Sequence, residues 1–100
     1  MENETLGRSR LRSRQRIIVD ILAAARQGAE RHKIIKQAGV NYRQFSGVIN
    51  ALLAKGLVTV TESPEGKIIF KATTKGNRYV ETYRLMMGRP GAIINSPTMT

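Results

Sequence analysis

The apolar pattern of this chain changes period at Gly56, and that switch limits the possible folds more than any other feature. Before Gly56 apolar residues recur at helical spacing; after it they alternate as in a strand, and then helical spacing returns. Ile17, Ile18, Ile21, Leu22 and Ala25 make one stripe of a 3.6-residue period. This predicts a first helix capped by Ser13 and ended by Gly28, with Arg26 in its last turn. A second, shorter helix is predicted from Glu30 to Ala38, with Ile34, Ile35 and Ala38 as its apolar face and Gly39 as its stop. Asn41 can cap a third. In it Tyr42, Phe45, Val48, Ile49, Leu52 and Leu53 repeat at helical spacing as far as Lys55.

Beyond Gly56, Leu57 to Thr61 is short and β-branched, Ser63-Pro64-Glu65-Gly66 is a turn cluster, and Lys67 to Ala72 alternates with Ile68 and Phe70 on one face. This reads as a β-hairpin. Thr74 is the expected cap of a last helix that buries Tyr79, Val80, Tyr83 and Met86 or Met87, until Gly88 and Pro90 break it. Two tightly joined helices, the second apolar along one side, form a helix-turn-helix, and a hairpin directly after them makes a wing. The hairpin cannot bury Ile68 and Phe70 alone, so it must fold back on the helices. The expected fold is therefore α+β and mainly helical: a winged helix-turn-helix of three helices, a two-stranded β-hairpin wing and a C-terminal helix. Residues 1–10 read as a flexible basic arm, 11–87 as the domain and 88–100 as a flexible tail.

Charge narrows the function. Lys and Arg number 17 against 7 Asp and Glu, a net charge of +10. Such an excess repels itself and attracts polyanions: nucleic acid, an anionic membrane or an acidic protein. Cysteine is absent, which excludes disulfides and thiolate metal sites and fits a reducing compartment. Asp20 and Arg26 interrupt the apolar run after the N-terminal basic stretch, which argues against a signal peptide. No run approaches the roughly 18 apolar residues of a membrane span. No phosphate-binding loop, dinucleotide fingerprint, zinc-protease motif or serine triad is present. His32, with only Glu30 nearby, offers too few ligands for a metal and reads as a surface residue. No catalytic residue, metal or cofactor is expected, and the chain reads as a non-enzyme of the cytoplasm, associated with the nucleoid.

Three segments carry a family resemblance. Arg16-Ile17-Ile18-Val19-Asp20-Ile21-Leu22 resembles the opening helix of small archaeal winged-helix DNA-binding proteins and predicted transcriptional regulators. Asn41-Tyr42-Arg43-Gln44-Phe45, followed by Leu52-Leu53-Ala54-Lys55-Gly56-Leu57-Val58, is similar to that family's recognition helix running into its first wing strand. Thr73-Thr74-Lys75-Gly76-Asn77-Arg78-Tyr79 resembles the start of its last helix. The resemblance spans roughly residues 11 to 85. It implies duplex DNA binding, a role in transcription or chromatin organisation, and often a homodimer held by the last helix. Gly88-Arg89-Pro90-Gly91 stops that helix early, so the long antiparallel coiled coil of some relatives is not expected.

With Phe45, Val48, Ile49 and Leu52 inward, Arg43, Gln44, Ser46, Gly47 and Asn50 face outward and suit base edges in a major groove. Gly47 costs the helix about 1 kcal/mol relative to Ala. Arg8, Arg10, Arg12, Arg14 and Arg16 recur at every second residue and would line one edge of an extended arm that tracks phosphate. Arg16 has a rival use, pairing with Asp20 one turn on. Arg31, Lys33 and Lys36 sit on the helix that crosses the backbone in helix-turn-helix proteins, and Tyr42, Lys67 and Lys71 flank them. Ile69 lies between the wing lysines as an outward residue or dimer contact. Glu62 and Glu65 at the wing tip argue against deep groove insertion. Lys75 and Arg78 occupy an anion-friendly first turn. The expected partners are double-stranded DNA and a second copy of the chain, joined through Tyr79, Tyr83, Met86 and Met87. The alternative is a winged helix that binds RNA or a protein; the few aromatic residues count against single-strand stacking.

Overall fold

Ser13 opens the first helix, its side chain accepting the Arg16 amide proton at 3.0 Å. In the computed structural model, which describes residues 12–87, the chain runs α1 (Arg14–Ala24), α2 (Arg31–Ala38), α3 (Tyr42–Ala54), β1 (Val58–Glu62), β2 (Ile68–Ala72) and α4 (Thr74–Met87). The expected winged helix-turn-helix order is the order observed. The arm of residues 1–10 and the tail of 88–100 lie outside the described residues, as does the side chain of Met87.

The helices end where their sequence lets them turn. α2 stops at Gly39, whose left-handed φ of 71° lets its amide close on the Ile35 and Lys36 carbonyls. Only Val40 and Asn41 separate Gly39 from the start of α3, so α2, turn and α3 form one tight unit. α3 opens with a full capping box: Asn41 accepts the Gln44 amide at 2.7 Å, and the Gln44 side chain accepts the Asn41 amide at 2.9 Å.

The core is where these elements meet. Ile21 and Leu22 of α1, Ile34 of α2, Phe45 and Leu52 of α3 and Val58 of β1 are almost completely buried. Phe70 of β2 meets Phe45 edge-on, with ring centroids 5.7 Å apart, and this contact fastens the wing to α3. β1 and β2 pair antiparallel from Val58 opposite Ala72 to Glu62 opposite Ile68. Along the face shared by Val58, Val60, Phe70 and Ile68, burial fades from base to tip. Val58 and Phe70 are buried, whereas Val60 and Ile68 are each 46% exposed.

Several local expectations are corrected. α1 ends at Ala24, and Arg26 lies in the turn beyond it. That turn leads into a segment the sequence reading left as a connection. Ala29 exchanges both backbone hydrogen bonds with Phe70 at 2.9 Å, and Ala72 donates to the Ala25 carbonyl. Residues 25–29 therefore serve the outer edge of β2 as a short third strand would. Ile68 is exposed because the tip outruns the helices. Ile69, read as outward, is half-buried beside Gly28. Val19, outside the expected stripe, is buried, because α1 packs against α4 as well as α2. Glu30 precedes α2 without capping it through its side chain. The cap of α4 is Thr73, one residue earlier than expected: its hydroxyl accepts the Gly76 amide at 3.0 Å and donates to the Gly56 carbonyl at 2.7 Å. Met86, expected inside, is 62% exposed beside Leu85. α4 has left the core by its last turn.

Candidate nucleic-acid interface

α3 is divided lengthwise. Phe45, Val48, Ile49 and Leu52 are buried, and Arg43, Ser46, Gly47 and Asn50 are exposed at positions i, i+3, i+4 and i+7. The stripe is polar, presents one guanidinium, one hydroxyl and one carboxamide, and carries a gap at Gly47. Among the described residues none of these side chains is held by another part of the chain. Gln44 differs from the other expected readers. It is half-buried, and its carbonyl oxygen already accepts one hydrogen bond in the capping box, so its amide nitrogen is the freer group to face a partner.

Cations flank the stripe. Arg31, Lys33 and Lys36 are exposed on α2. Arg31 lies 5.7 Å from the centroid of the Tyr42 ring and donates to its hydroxyl at 3.4 Å. This pairs two of the expected backbone-contact residues at the entry to α3, and the ring holds the guanidinium by its π face. On the wing, Lys67 precedes β2 and Lys71 lies within it, both exposed; Lys71 stands on the face of β2 opposite Phe70, beside Gly28, and so turns away from the α3 groove. Between α3 and the wing runs a groove of about 350 Å³ with Phe45, Ile49 and Phe70 in its floor and Arg31, Ser46 and Asn50 at its rim.

The arginine series divides. Arg8 and Arg10 lie outside the described residues. Arg14 is exposed in the first turn of α1. Arg12 has a different role from the one expected. Its guanidinium donates to Asp20 Oδ2 at 2.6 Å, to the Ala38 carbonyl at 3.1 Å and to the Gly39 carbonyl at 2.6 Å. It clasps α1 to the end of α2 and satisfies carbonyls that the helix leaves unpaired. A phosphate would have to displace all three partners. Arg16 takes its rival use, donating to Asp20 Oδ1 at 3.2 Å. That hydrogen bond, and then the carboxylate charge, raise the Arg16 pKa above its ordinary value. Lys75 is engaged as well: its ammonium donates to the Lys55 carbonyl at 3.0 Å, at the end of α3.

The sequence reading missed the Arg12 clasp, the Lys75 bond and the pairing of residues 25–29. The spacing Asn41-x-x-Gln44 was a legible signal for the capping box; the other three bring together residues distant in sequence and left no local mark.

Among the described residues, no group of His, Asp and Glu side chains is arranged to hold a metal ion, and no helix is long and apolar enough to cross a membrane. Comparison with solved structures finds the same architecture repeatedly. The DNA-binding protein Sso10a-2 of Sulfolobus solfataricus superposes with a TM-score of 0.71 at 19% identity, over 85% of this chain and 88% of that one. A mutant of MarR from E. coli complexed with operator DNA superposes with a TM-score of 0.58 at 21% identity, over 75% of this chain and 54% of MarR. BpsR of Bordetella bronchiseptica, whose DNA binding is regulated by 6-hydroxynicotinic acid, gives a TM-score of 0.58 at 23% identity, over 75% of this chain and 58% of BpsR. The chain thus spans little more than half the length of those two regulators. A comparison with curated protein sequences returns no match. The winged helix-turn-helix family model matches residues 11–88, and with the helices, turn and wing all in place the chain belongs to that family.

Proposed function

We propose that this protein binds double-stranded DNA, with α3 in the major groove and the cations of α2 and the wing on the flanking phosphates. The observation that carries the reading is the exposed stripe of Arg43, Ser46, Gly47 and Asn50, whose side chains have no partner among the described residues. Arg can bond guanine bidentately and Asn can bond adenine, so the stripe has the chemistry to read bases. Arg14, Arg31, Lys33, Lys36, Tyr42, Lys67 and Lys71 supply sequence-independent affinity, joined by Arg8 and Arg10 of the arm. Arg12 is left out of this set, and Gln44 contributes chiefly through its amide nitrogen. The net charge of +10 and the fold shared with proteins described as DNA-binding support the same reading. The role we assign is a transcriptional regulator or nucleoid-associated protein of the cytoplasm, without catalytic activity. It acts as a homodimer joined through the end of α4, where Tyr79 and Tyr83 are half-buried and Leu85 and Met86 are exposed.

The test is a salt titration of affinity for random and selected duplexes. Neutralising about six phosphates per subunit gives a slope of log affinity against log salt near −5. An affinity indifferent to salt, or duplex RNA or single strands outcompeting duplex DNA, would sink the proposal. The mass of the free protein in solution, measured alongside, decides the dimer.

A further inference from the structure

A second cationic site lies between α1 and α4 and shares no residue with the α3 groove. There Arg26, from the turn after α1, and Arg78 and Arg84 of α4 line a cavity of about 420 Å³. Ala23 and Val80 contribute aliphatic surface to it, and Asn77 an amide. The one acidic group in the lining is Glu81, which stands three residues from both Arg78 and Arg84, a spacing at which helical neighbours can pair. They do not. The ion pairs formed among the described residues are Arg12–Asp20 and Arg16–Asp20. Three arginines thus line a recess with a single carboxylate, and none of them forms an ion pair among the described residues, whereas Arg12 and Arg16 are engaged with Asp20. Like charges gathered in this way favour an anion beside them.

From this we infer that the α1–α4 cleft is a binding site for a small organic anion. A carboxylate or phosphate head lies against Arg26, Arg78 and Arg84, and an apolar body lies over Ala23 and Val80. The cavity lies in the size range of small-molecule sites, and its lining sets aliphatic surface beside the cations, which suits a molecule with a charged head and an apolar body. Guanidinium forks match both head groups in plane and can bond them with two parallel hydrogen bonds. The inference does not depend on the DNA reading of α3.

The experiment titrates the full chain with benzoate, phenyl phosphate and inorganic phosphate by calorimetry at low salt. Saturable binding of one equivalent per chain is expected for benzoate or phenyl phosphate, and which of the two binds tighter identifies the head group. Inorganic phosphate, lacking the apolar body, should bind more weakly. R78A and R84A should each weaken binding about tenfold, through loss of a charge-assisted bond. E81Q should tighten it about threefold by removing a like charge, and R43A should leave it unchanged. All are exposed positions, so the fold should survive, and circular dichroism checks that. The inference is overturned by any of four results: no saturable binding, binding unaffected by the triple variant R26A/R78A/R84A, inorganic phosphate binding as tightly as phenyl phosphate, or a triple variant that loses only the capture of a second duplex.

Discussion

Gly47 in α3 and Gly76 in α4 each stand inside a helix, where alanine would be preferred by about 1 kcal/mol. Their surroundings are opposite. A Cβ on Gly76 would overlap the backbone carbonyl oxygen of Leu57 and lie 3.3 Å from Leu22 Cδ2, whereas a Cβ on Gly47 would meet nothing within 4 Å. Gly76 is explained by the protein's own packing. It sits at the junction where Thr73 and Lys75 bond the Gly56 and Lys55 carbonyls, and only a missing side chain lets α4 approach that closely. Nothing in the fold explains Gly47. The two positions separate a surface that the chain completes by itself from one that it leaves open, and the open one is the stripe assigned to DNA.

The largest expected effect tests the closed side. G76A should cost about 3 kcal/mol of stability, because the methyl meets backbone that cannot rotate away. Urea denaturation measures it. A loss below about 1 kcal/mol would mean that α4 can slide from Leu57 freely, and the contrast between the glycines would lose its basis.

The next tests the open side. R43A should leave stability within about 0.5 kcal/mol, since the side chain is exposed and forms no ion pair among the described residues. Its cost should appear in discrimination between duplexes, about 1–3 kcal/mol if the guanidinium bonds one guanine. Anisotropy titrations of a preferred and a scrambled duplex measure both affinities. Equal weakening on the two sequences would move Arg43 from base reading to phosphate contact.

The two sides were unequally legible in the sequence. Periodicity located the four helices and two strands of the described residues, because burial along one face imposes it directly: Phe45, Val48, Ile49 and Leu52 could be read as a buried stripe before any contact was known. The complementary stripe followed by subtraction. What failed depended on where elements end and what they meet. Ile68 alternates in phase with Phe70 and still emerges into solvent, because the wing tip projects past the helices, and alternation carries no information about length of cover. Val19 is buried by α4, some sixty residues away in sequence, which no local pattern encodes. Arg12 fits an alternating arginine series as well as its neighbours do. Its removal from the candidate interface depends on the Ala38 and Gly39 carbonyls arriving beside it, and backbone groups leave no residue signature.

Arg12 therefore marks the border between the two sides. R12A should cost about 1–2 kcal/mol of stability, since it removes three hydrogen bonds from a guanidinium whose side chain is only 18% exposed. R12K should recover less than half of that, because an ammonium cannot span a carboxylate and two carbonyls as a planar fork does. Thermal melts give the stabilities. If R12A instead left the melt unchanged and lowered duplex affinity as R14A does, Arg12 would belong with the phosphate contacts.

The smallest effect is the most discriminating. G47A should raise stability by about 1 kcal/mol, because alanine is the better helix former and its methyl enters open space. A position where the fold prefers alanine and the sequence holds glycine gives up stability for some other reason. If the reason is close approach of a base edge or phosphate to α3, the variant that melts higher must also bind duplex DNA more weakly. G47S would then be weaker still, because its side chain is larger and its hydroxyl would need a partner of its own. Higher stability with unchanged affinity would mean that the duplex never comes within a methyl's width of Gly47, and the stripe would then contact DNA only at its ends, through Arg43 and Asn50.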